Sequence, residues 1–315
     1  MSLEEQYQAV RTELEKVIFG QDEVLEFSLA ALFSCGHLLL EGPPGVAKTL
    51  LVRTIATALD LDFNRIQMTP DLLPSDITGS SIYRDDTRTF EFRRGPLFTN
   101  FLLADEINRS SARTQSALLE AMQELQVTYD SATHSLPAPF MVFATQNPIE
   151  QEGTYPLPLA QLDRFMFKVH VSYPPPEDEI RVLTEHHATA GLASEAQSDV
   201  QKVMTSEDVL AARSEIRKTF VRDEVVRYVQ RLLQATRDDE SMSVGASPRA
   251  GLMLIMAAKS LARFAGRDYV NPDDIKTALL PVMRHRVVLS PAAELEGITP
   301  DEILTRMIEF VEVPR

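Results

Sequence analysis

Cysteine is nearly absent: Cys35 is the only one in 315 residues. That excludes an intrachain disulfide, and a small buried apolar role is expected for Cys35 rather than that of a reactive thiol. Long apolar runs are missing too. None approaches the ~18 residues of a membrane-spanning helix. The opening stretch MSLEEQYQAVRTELEK is polar and charged from its start, unlike a secretory signal. These absences make the cytoplasm the expected compartment. Basic charge is in deficit, with 31 Lys and Arg against 46 Asp and Glu and a net charge of −15. Such a surface repels DNA and anionic lipid in general, because nonspecific affinity for them comes mainly from Lys and Arg. A local basic patch stays open. There is no nucleophile elbow, no internal repeat and no Cys/His spacing of a metal site.

What is present is an ordinary globular composition, with 44% hydrophobic and 24% charged residues, in a chain long enough for two domains. One stretch organises it, His37 to Leu59, HLLLEGPPGVAKTLLVRTIATAL. An apolar strand leads into a Gly/Pro turn, then a lysine and a hydroxyl residue, then a helix with Leu51, Ile55 and Leu59 four apart. Backbone amides in such a loop curl around phosphates, and the next helix points its positive end at them. The cradle is Gly42, Pro43, Pro44, Gly45, Val46, Ala47, Lys48, Thr49 and Leu50. Lys48 is placed for β/γ-phosphates and the Thr49 hydroxyl for Mg²⁺. Ala47 stands where the general pattern has its second glycine.

Short strands are expected at 38–41, 63–68, 101–105, 140–145 and 166–171, alternating with helices. The fold class is therefore α/β, a five-stranded parallel sheet with helices on both faces and ligands at the strands' carboxyl ends. Tyr173-Pro-Pro-Pro176 is a stiff extended segment and the expected boundary between an α/β core (1–173) and an all-helical domain (174–315). Beyond it strand patterns stop. Helices are expected at 177–188, 206–217, 222–237, 248–264, 272–283 and 300–312, with a polar loop at 189–204. Two hairpin signals interrupt the core, at about 80–93 and 126–140.

The strand ends carry the chemistry. Asp105-Glu106 follows an apolar run: Asp105 suits Mg²⁺ held mostly through water, and Glu106 suits the base that polarises an attacking water. Asn147 suits a residue that positions that water, although an Asn before Pro148 also makes a turn.

GPPGVAKT, LLADEINR, ATQNP, Leu162-Asp163-Arg164-Phe165 and Gly245-Ala-Ser-Pro-Arg249-Ala occur in that order. Together they resemble AAA+ ATPases, and in detail the MoxR family, over nearly the whole chain from Ile18 to Arg315. The resemblance accepts Ala before the lysine. It implies ATP hydrolysis to ADP and phosphate with Mg²⁺, and sensor-1 at Asn147. It also implies an arginine finger at Arg164 that reaches a neighbouring subunit's ATP, and sensor-2 at Arg249. The plainer readings are an ion pair with Asp163 or a nearby acid for Arg164, and a helix-surface charge for Arg249. Whether Arg249 serves its own subunit's site or a neighbour's stays open. Ile18, Phe19 and Gly20 align with the stretch around adenine, although core packing explains Ile18 equally well. The hairpins resemble a helix-2 insert and the hairpin before sensor-1, which in related rings face the pore.

The resemblance further implies a homo-oligomer, a hexameric ring, and chaperone-like remodelling or maturation of client proteins. Partners with a von Willebrand factor A domain, and cofactor or metal insertion, come with it. Two other functions remain in view: a slow nucleotide-gated assembly module, and a chelatase-like or nucleic-acid motor subunit. The acidic charge disfavours nucleic acid.

Overall fold

The computed structural model describes residues 1–130, 132–148, 153–186 and 199–314. Helix α1 (Leu3–Leu14) starts at a capping box in which Ser2 accepts from the Glu5 amide and Glu5 answers to the Ser2 amide. Its apolar face (Leu3, Tyr7, Val10, Leu14) is buried. Helix α2 (Asp22–Phe33) is apolar nearly all round and lies inside the core. Strand β1 (Leu38–Glu41) runs into the loop and α3 (Lys48–Ala58). β2 (Phe63–Gln67), α4 (Pro74–Thr78) and the hairpin β3 (Gly79–Arg84) and β4 (Thr89–Arg94) follow. Then come β5 (Phe101–Asp105), a 3-10 turn at Ile107–Arg109, α5 (Ala112–Glu124) and the hairpin β6 (Gln126–Tyr129) and β7 (Ala132–Ser135). β8 (Met141–Gln146), α6 (Leu159–Leu162) and β9 (Phe167–His170) complete the α/β part.

Five strands form one parallel sheet in the order β2-β5-β8-β1-β9. Strands β1, β5 and β8 are almost wholly buried, so they read as continuous apolar runs rather than alternating ones. The order puts β8 between β1 and β5, and with it Gln146 beside Glu41 and Ala144 beside Ala104.

The C-terminal region is helical: α7 (Pro176–His186), α8 (Ser206–Arg217), α9 (Asp223–Asp238), α10 (Pro248–Phe264), α11 (Pro272–Met283), α12 (Pro291–Leu295) and α13 (Pro300–Phe310). Asn271 caps α11, with Pro272 in the first turn and Asp274 closing a capping box. The expected stretches 177–188 and 189–204 lie partly outside the described residues. One apolar cluster runs from α1 and α2 under the sheet into α8–α13. Tyr7 stacks on Phe264 of α10 at 4.0 Å between centroids, and α11 packs on β9.

Two expectations are corrected. Strands do not stop at Pro176: β10 (Met242–Val244) and β11 (Val288–Leu289) form a short antiparallel pair. At three and two residues they are too short to give a period-2 signal. Cys35 is exposed, not buried. It follows α2 in the left-handed region (φ 58°), while the Gly36 amide bonds the Ala31 carbonyl and the Cys35 amide that of Leu32. That is the six-to-one and five-to-two pairing of a Schellman end, which turns the side chain outward.

His37, just before β1, is buried, and its ring bridges two elements: Nε2 pairs with the Met122 carbonyl (3.1 Å) and Nδ1 accepts from the Val142 amide (3.0 Å). Both bonds are made by the neutral ring. Desolvation, only partly offset by the Met122 carbonyl, pushes its pKa down to about 4. Burial and the Arg286 charge likewise hold His285 well below the ordinary value. An unfolded histidine titrates near ~6.5, so the unfolded chain takes up protons the folded one refuses. The stability from the neutral His37 is complete above the unfolded pKa and is lost as pH falls toward the folded one. Urea titrations should show unfolding free energy lower by about 2 kcal/mol at pH 5 than at pH 7 from His37 alone, with His285 adding in the same direction. His37→Gln should flatten that slope; an unchanged slope would refute the assignment.

Candidate nucleotide site

The loop after β1 owes its shape to two positions. The Gly42 amide bonds the Gln146 carbonyl at 3.2 Å, and a Cβ on Gly42 would stand 2.1 Å from the Val171 carbonyl oxygen. Only glycine fits there. Ala47 sits at φ 57°, ψ 24° as N-cap of α3, which explains why glycine is the general letter. Alanine reaches the same left-handed well at a cost of about 1–2 kcal/mol. Lys48 donates to the Gly42 carbonyl (2.7 Å). Its ammonium pKa is lowered by burial, against the opposing pull of Asp105, Glu106 and Glu41.

Beside the loop lies an apolar cleft lined by Ile18, Phe19, Val46, Leu50, Val171 and Val182. The Arg181 guanidinium stacks over the Phe19 ring at 4.2 Å. Gly20 (φ 64°) leaves no room for a side chain, since a Cβ would meet Pro175 at 2.7 Å. The lining is mostly apolar, as a purine ring requires. Ile18 is 6% exposed, so it packs and lines the cleft at once.

The carboxylates stand at the end of β5. Asp105 Oδ1 accepts from the Thr145 hydroxyl (2.5 Å), and Oδ2 accepts from Arg65 Nη2 (2.6 Å) and Nε (3.1 Å). Asp105 offers the hard carboxylate oxygens that Mg²⁺ takes, but Thr145 and Arg65 already engage them, and Arg65 would have to yield to a metal ion. Glu106 is left-handed (φ 57°, ψ 53°), an uncommon state for a non-glycine residue, and its amide is fixed by Thr145 Oγ1 at 2.8 Å. Its Oε2 accepts from Gln67 Nε2 (2.9 Å) and pairs with Arg109 Nε (3.0 Å). Arg65 Nη2 also donates to Gln67 Oε1 (3.1 Å). One polar chain thus ties Asp105, Arg65, Gln67, Glu106 and Arg109 together. Asn147 follows β8, 8% exposed, between the strand ends that carry Gly42 and Asp105. Glu41, just before the loop, pairs with Lys168 (2.9 Å) and His170 (3.3 Å). Burial alone would raise its pKa, but those two bases outweigh it and hold it at about 2.

The structure brings Phe19, Gly20, the loop from Gly42 to Leu50, Asp105, Glu106 and Asn147 to the carboxyl-terminal edge of the sheet. It does not bring Arg164 or Arg249 there. Both line a separate pocket with Cys35, His37, Met122, Gln123 and Met253. That pocket lies by the amino-terminal ends of β1 and β9, since the Met166 amide bonds the His37 carbonyl at 2.8 Å. The Asp163 carboxylate pairs with Arg249 Nε (3.5 Å) and Arg286 Nε (2.7 Å). Arg164 donates to Gln123 Oε1 (3.3 Å) and the Ala160 carbonyl (3.2 Å).

Arg65, Gln67, Arg109, Thr145 and Arg286 went unread in the sequence. Arg65 and Gln67 lie two apart on an edge strand, a spacing that puts both on one face but names no partner. Among the described residues, no group of three or more His, Cys, Asp or Glu side chains is arranged to hold a metal. No helix among them is long and apolar enough to cross a membrane.

A model of the ATPase family associated with various cellular activities (AAA) matches residues 37–167, and an AAA lid domain model matches 234–307. The chain is 45% identical over 312 residues to a Mycobacterium tuberculosis protein named chaperone MoxR1, covering 96% of this chain and 81% of that one. It is 45% identical over 301 residues to the uncharacterised YeaC of Bacillus subtilis, covering 96% and 92%. A crystal structure from Cytophaga hutchinsonii, titled as a candidate ATPase, superposes with a TM-score of 0.91 at 44% identity, over 99% of this chain and 96% of that one.

Gly42→Ala should abolish ATP binding in a fluorescent-nucleotide titration, because the new methyl collides with the Val171 carbonyl. Ala47→Gly should bind ATP as the parent does and change stability by no more than about 1 kcal/mol, relief of the left-handed strain being offset by unfolded-state entropy. Equal behaviour of the two variants would contradict this account of the loop.

Proposed function

The chain belongs to the MoxR family of AAA+ ATPases, and from that premise we propose that it hydrolyses ATP to ADP and phosphate in a ring of identical subunits. The observation that carries the reading is the separation of the two clusters. The phosphate loop and the carboxylates occupy one edge of the sheet, and Arg164 and Arg249 share a pocket by the opposite edge. β1 spans four residues, roughly 13 Å at ~3.3 Å per residue. Arginines on the far side of that span are suited to a neighbour's γ-phosphate, so both act in trans. A site made from two unlike faces propagates head to tail, which gives a ring where the rotation closes; the closed ring and its six subunits follow the family.

In this reading the Phe19 cleft takes adenine and the amides of the loop and first turn of α3 take the phosphates. Lys48 leaves the Gly42 carbonyl for the β/γ-oxygens. Thr49 and Asp105 would hold Mg²⁺, which would supply positive charge to offset that of the phosphates. Glu106 accepts the proton of the attacking water, and Asn147 holds that water in line. Glu106 must first leave Gln67 and Arg109. The neighbour's Arg164 and Arg249 stabilise charge on the transferring group, a task for which guanidinium, always charged, is suited.

The output is chaperone-like work on client proteins in the cytoplasm, with von Willebrand factor A domain proteins as the class of partner and cofactor or metal insertion as one such task. Phe90 at the tip of the β3–β4 hairpin is 74% exposed and Tyr83 49%. Phe92 of the same hairpin instead stacks on Tyr129 and His134 of the second one. The two hairpins are thus joined through Phe92, while Tyr83 and Phe90 pack edge to face on each other and stay exposed toward the tip of the first.

Glu106→Gln should keep ATP bound while lowering steady-state turnover at least 100-fold, read by phosphate release and nucleotide retention on the isolated ring. Normal turnover would remove Glu106 from the role of base. Deleting 83–90 should spare basal hydrolysis and lose stimulation by a client; loss of nucleotide binding instead would show that the hairpin belongs to the core.

A further inference from the structure

Arg286 is 3% exposed, carries full hydrogen bonding, and touches no part of the nucleotide cleft. It lies between α11 and β11, two residues after the C-cap Arg284. Its guanidinium donates to the Asp163 carboxylate (2.7 Å), to the Asp163 carbonyl (3.1 Å), to the Met166 carbonyl (3.1 Å) and to the carbonyls of Phe165 and Val282. Its five N–H groups thus face these five oxygens, with Met253 Sδ (2.6 Å) and His285 Nε2 (2.7 Å) also beside them. Four of these belong to residues 163–166, the segment from which Arg164 projects. The neighbouring side chains act on the same strip: His285 Nε2 pairs with the Phe165 carbonyl (3.0 Å), and Arg284 donates to the Lys168 carbonyl (3.2 Å).

Asp163 has a second task. Its Oδ1 is committed to the buried Arg286, and its Oδ2 faces Arg249 at 3.5 Å. One carboxylate is shared by two guanidiniums, and the buried one holds it more closely. Arg249, 48% exposed at its side chain, is therefore guided by Asp163 without being captured by it. It keeps its charge available for an anion.

We propose that Arg286 and Asp163 are positioning residues for the trans arginines. Arg286 grips the carbonyl just before Arg164 and those of Phe165 and Met166 after it, and Asp163, with its charge balanced by Arg286, steers Arg249 into the same pocket. Neither touches nucleotide. The proposal rests on the reading that Arg164 and Arg249 complete a neighbour's site.

Complementation in mixed rings tests it. Arg286→Lys keeps the charge, but an ammonium with three N–H groups does not span five acceptors. Asp163→Asn keeps an acceptor for Arg286 and removes the charge that steers Arg249. Each variant alone should lose at least tenfold in kcat, with KM for ATP within about twofold, because its own cleft and loop are untouched. Mixed with Glu106→Gln subunits, each should regain activity several-fold above the sum of the separate proteins. In such a ring the Glu106→Gln subunit lends correctly held arginines to a neighbour whose Glu106 is intact. Arg164→Ala mixed with Glu106→Gln is the reference. If that reference revives and the Arg286→Lys and Asp163→Asn mixtures do not, the positioning role is wrong, as it is if either variant alone has parental kcat. If the reference also stays silent, the trans reading beneath the proposal fails. Should Arg286→Lys not fold, Asp163→Asn carries the test.

Discussion

Parallel pairing of β1 with β8 on one flank and β9 on the other is the constraint on which both clusters depend. In a parallel sheet every strand ends on the same edge. With β8 between β1 and β5, the residues that follow the three strands are neighbours, although Gly42, Glu106 and Asn147 are far apart in sequence. The same polarity sends the segment before β9 and the residue before β1 to the other edge. Arg164 and His37 meet there. One topological choice therefore places the glycine loop and carboxylates at one end of the strands and the arginines at the other, so the two cannot face each other within one subunit. Covering the sheet on both faces leaves only its two edges for polar chemistry.

At the phosphate edge, the carboxylates are occupied within the chain itself. Asp105 faces Arg65 and Glu106 faces Gln67 and Arg109, so neither negative charge is left without a partner. These are surface pairs, and each contributes little to stability. Their consequence is positional: the charges proposed for nucleotide chemistry are held in one network whose β2 members lead, through α4, into the exposed β3–β4 hairpin. Thr145 fixes the backbone that this network requires, donating to Asp105 and accepting from the left-handed Glu106 amide. The strain at Glu106 is thus met by a specific hydrogen bond at the place where the chemistry is proposed, a common location for stored strain.

The sheet was legible in the sequence because its strands are short apolar runs separated by strong helix signals. The helices at 206–217, 248–264 and 272–283 lie where they are expected, since 3.6-residue periodicity is local. The phosphate loop and the Asp105-Glu106 pair were legible for the same reason: each is contiguous. What escaped is relational. Arg65 and Gln67 show their meaning only once β2 lies beside β5, and Arg286 only once α11 lies on β9. Cys35 was misread because a lone cysteine carries no local sign of a helix end, whereas the Schellman geometry at Gly36 decides its exposure. The pair β10–β11 escaped because two or three residues hold no period.

Arg286 also bears on why a cation is buried there at all. A hydrophobic side chain of similar volume would fill the space without the desolvation cost of a guanidinium, and replacing buried ion pairs by apolar groups is often neutral or stabilising. Stability alone thus gives little reason for Arg286. The burial lowers its pKa to about 10, against the upward pull of Asp163, yet at neutral pH it remains charged. What an apolar residue does not supply is direction. Five donors aimed at carbonyls and a carboxylate fix the peptide plane before Arg164 and those after Phe165 and Met166, and fixed planes determine where a long side chain can reach. Because those donors come from the helical region and their acceptors from the segment leading into β9, the arginine edge is a joint between the two parts of the chain. A displacement of α11 relative to β9 must carry Arg164 with it or break hydrogen bonds that no water can replace in so buried a place.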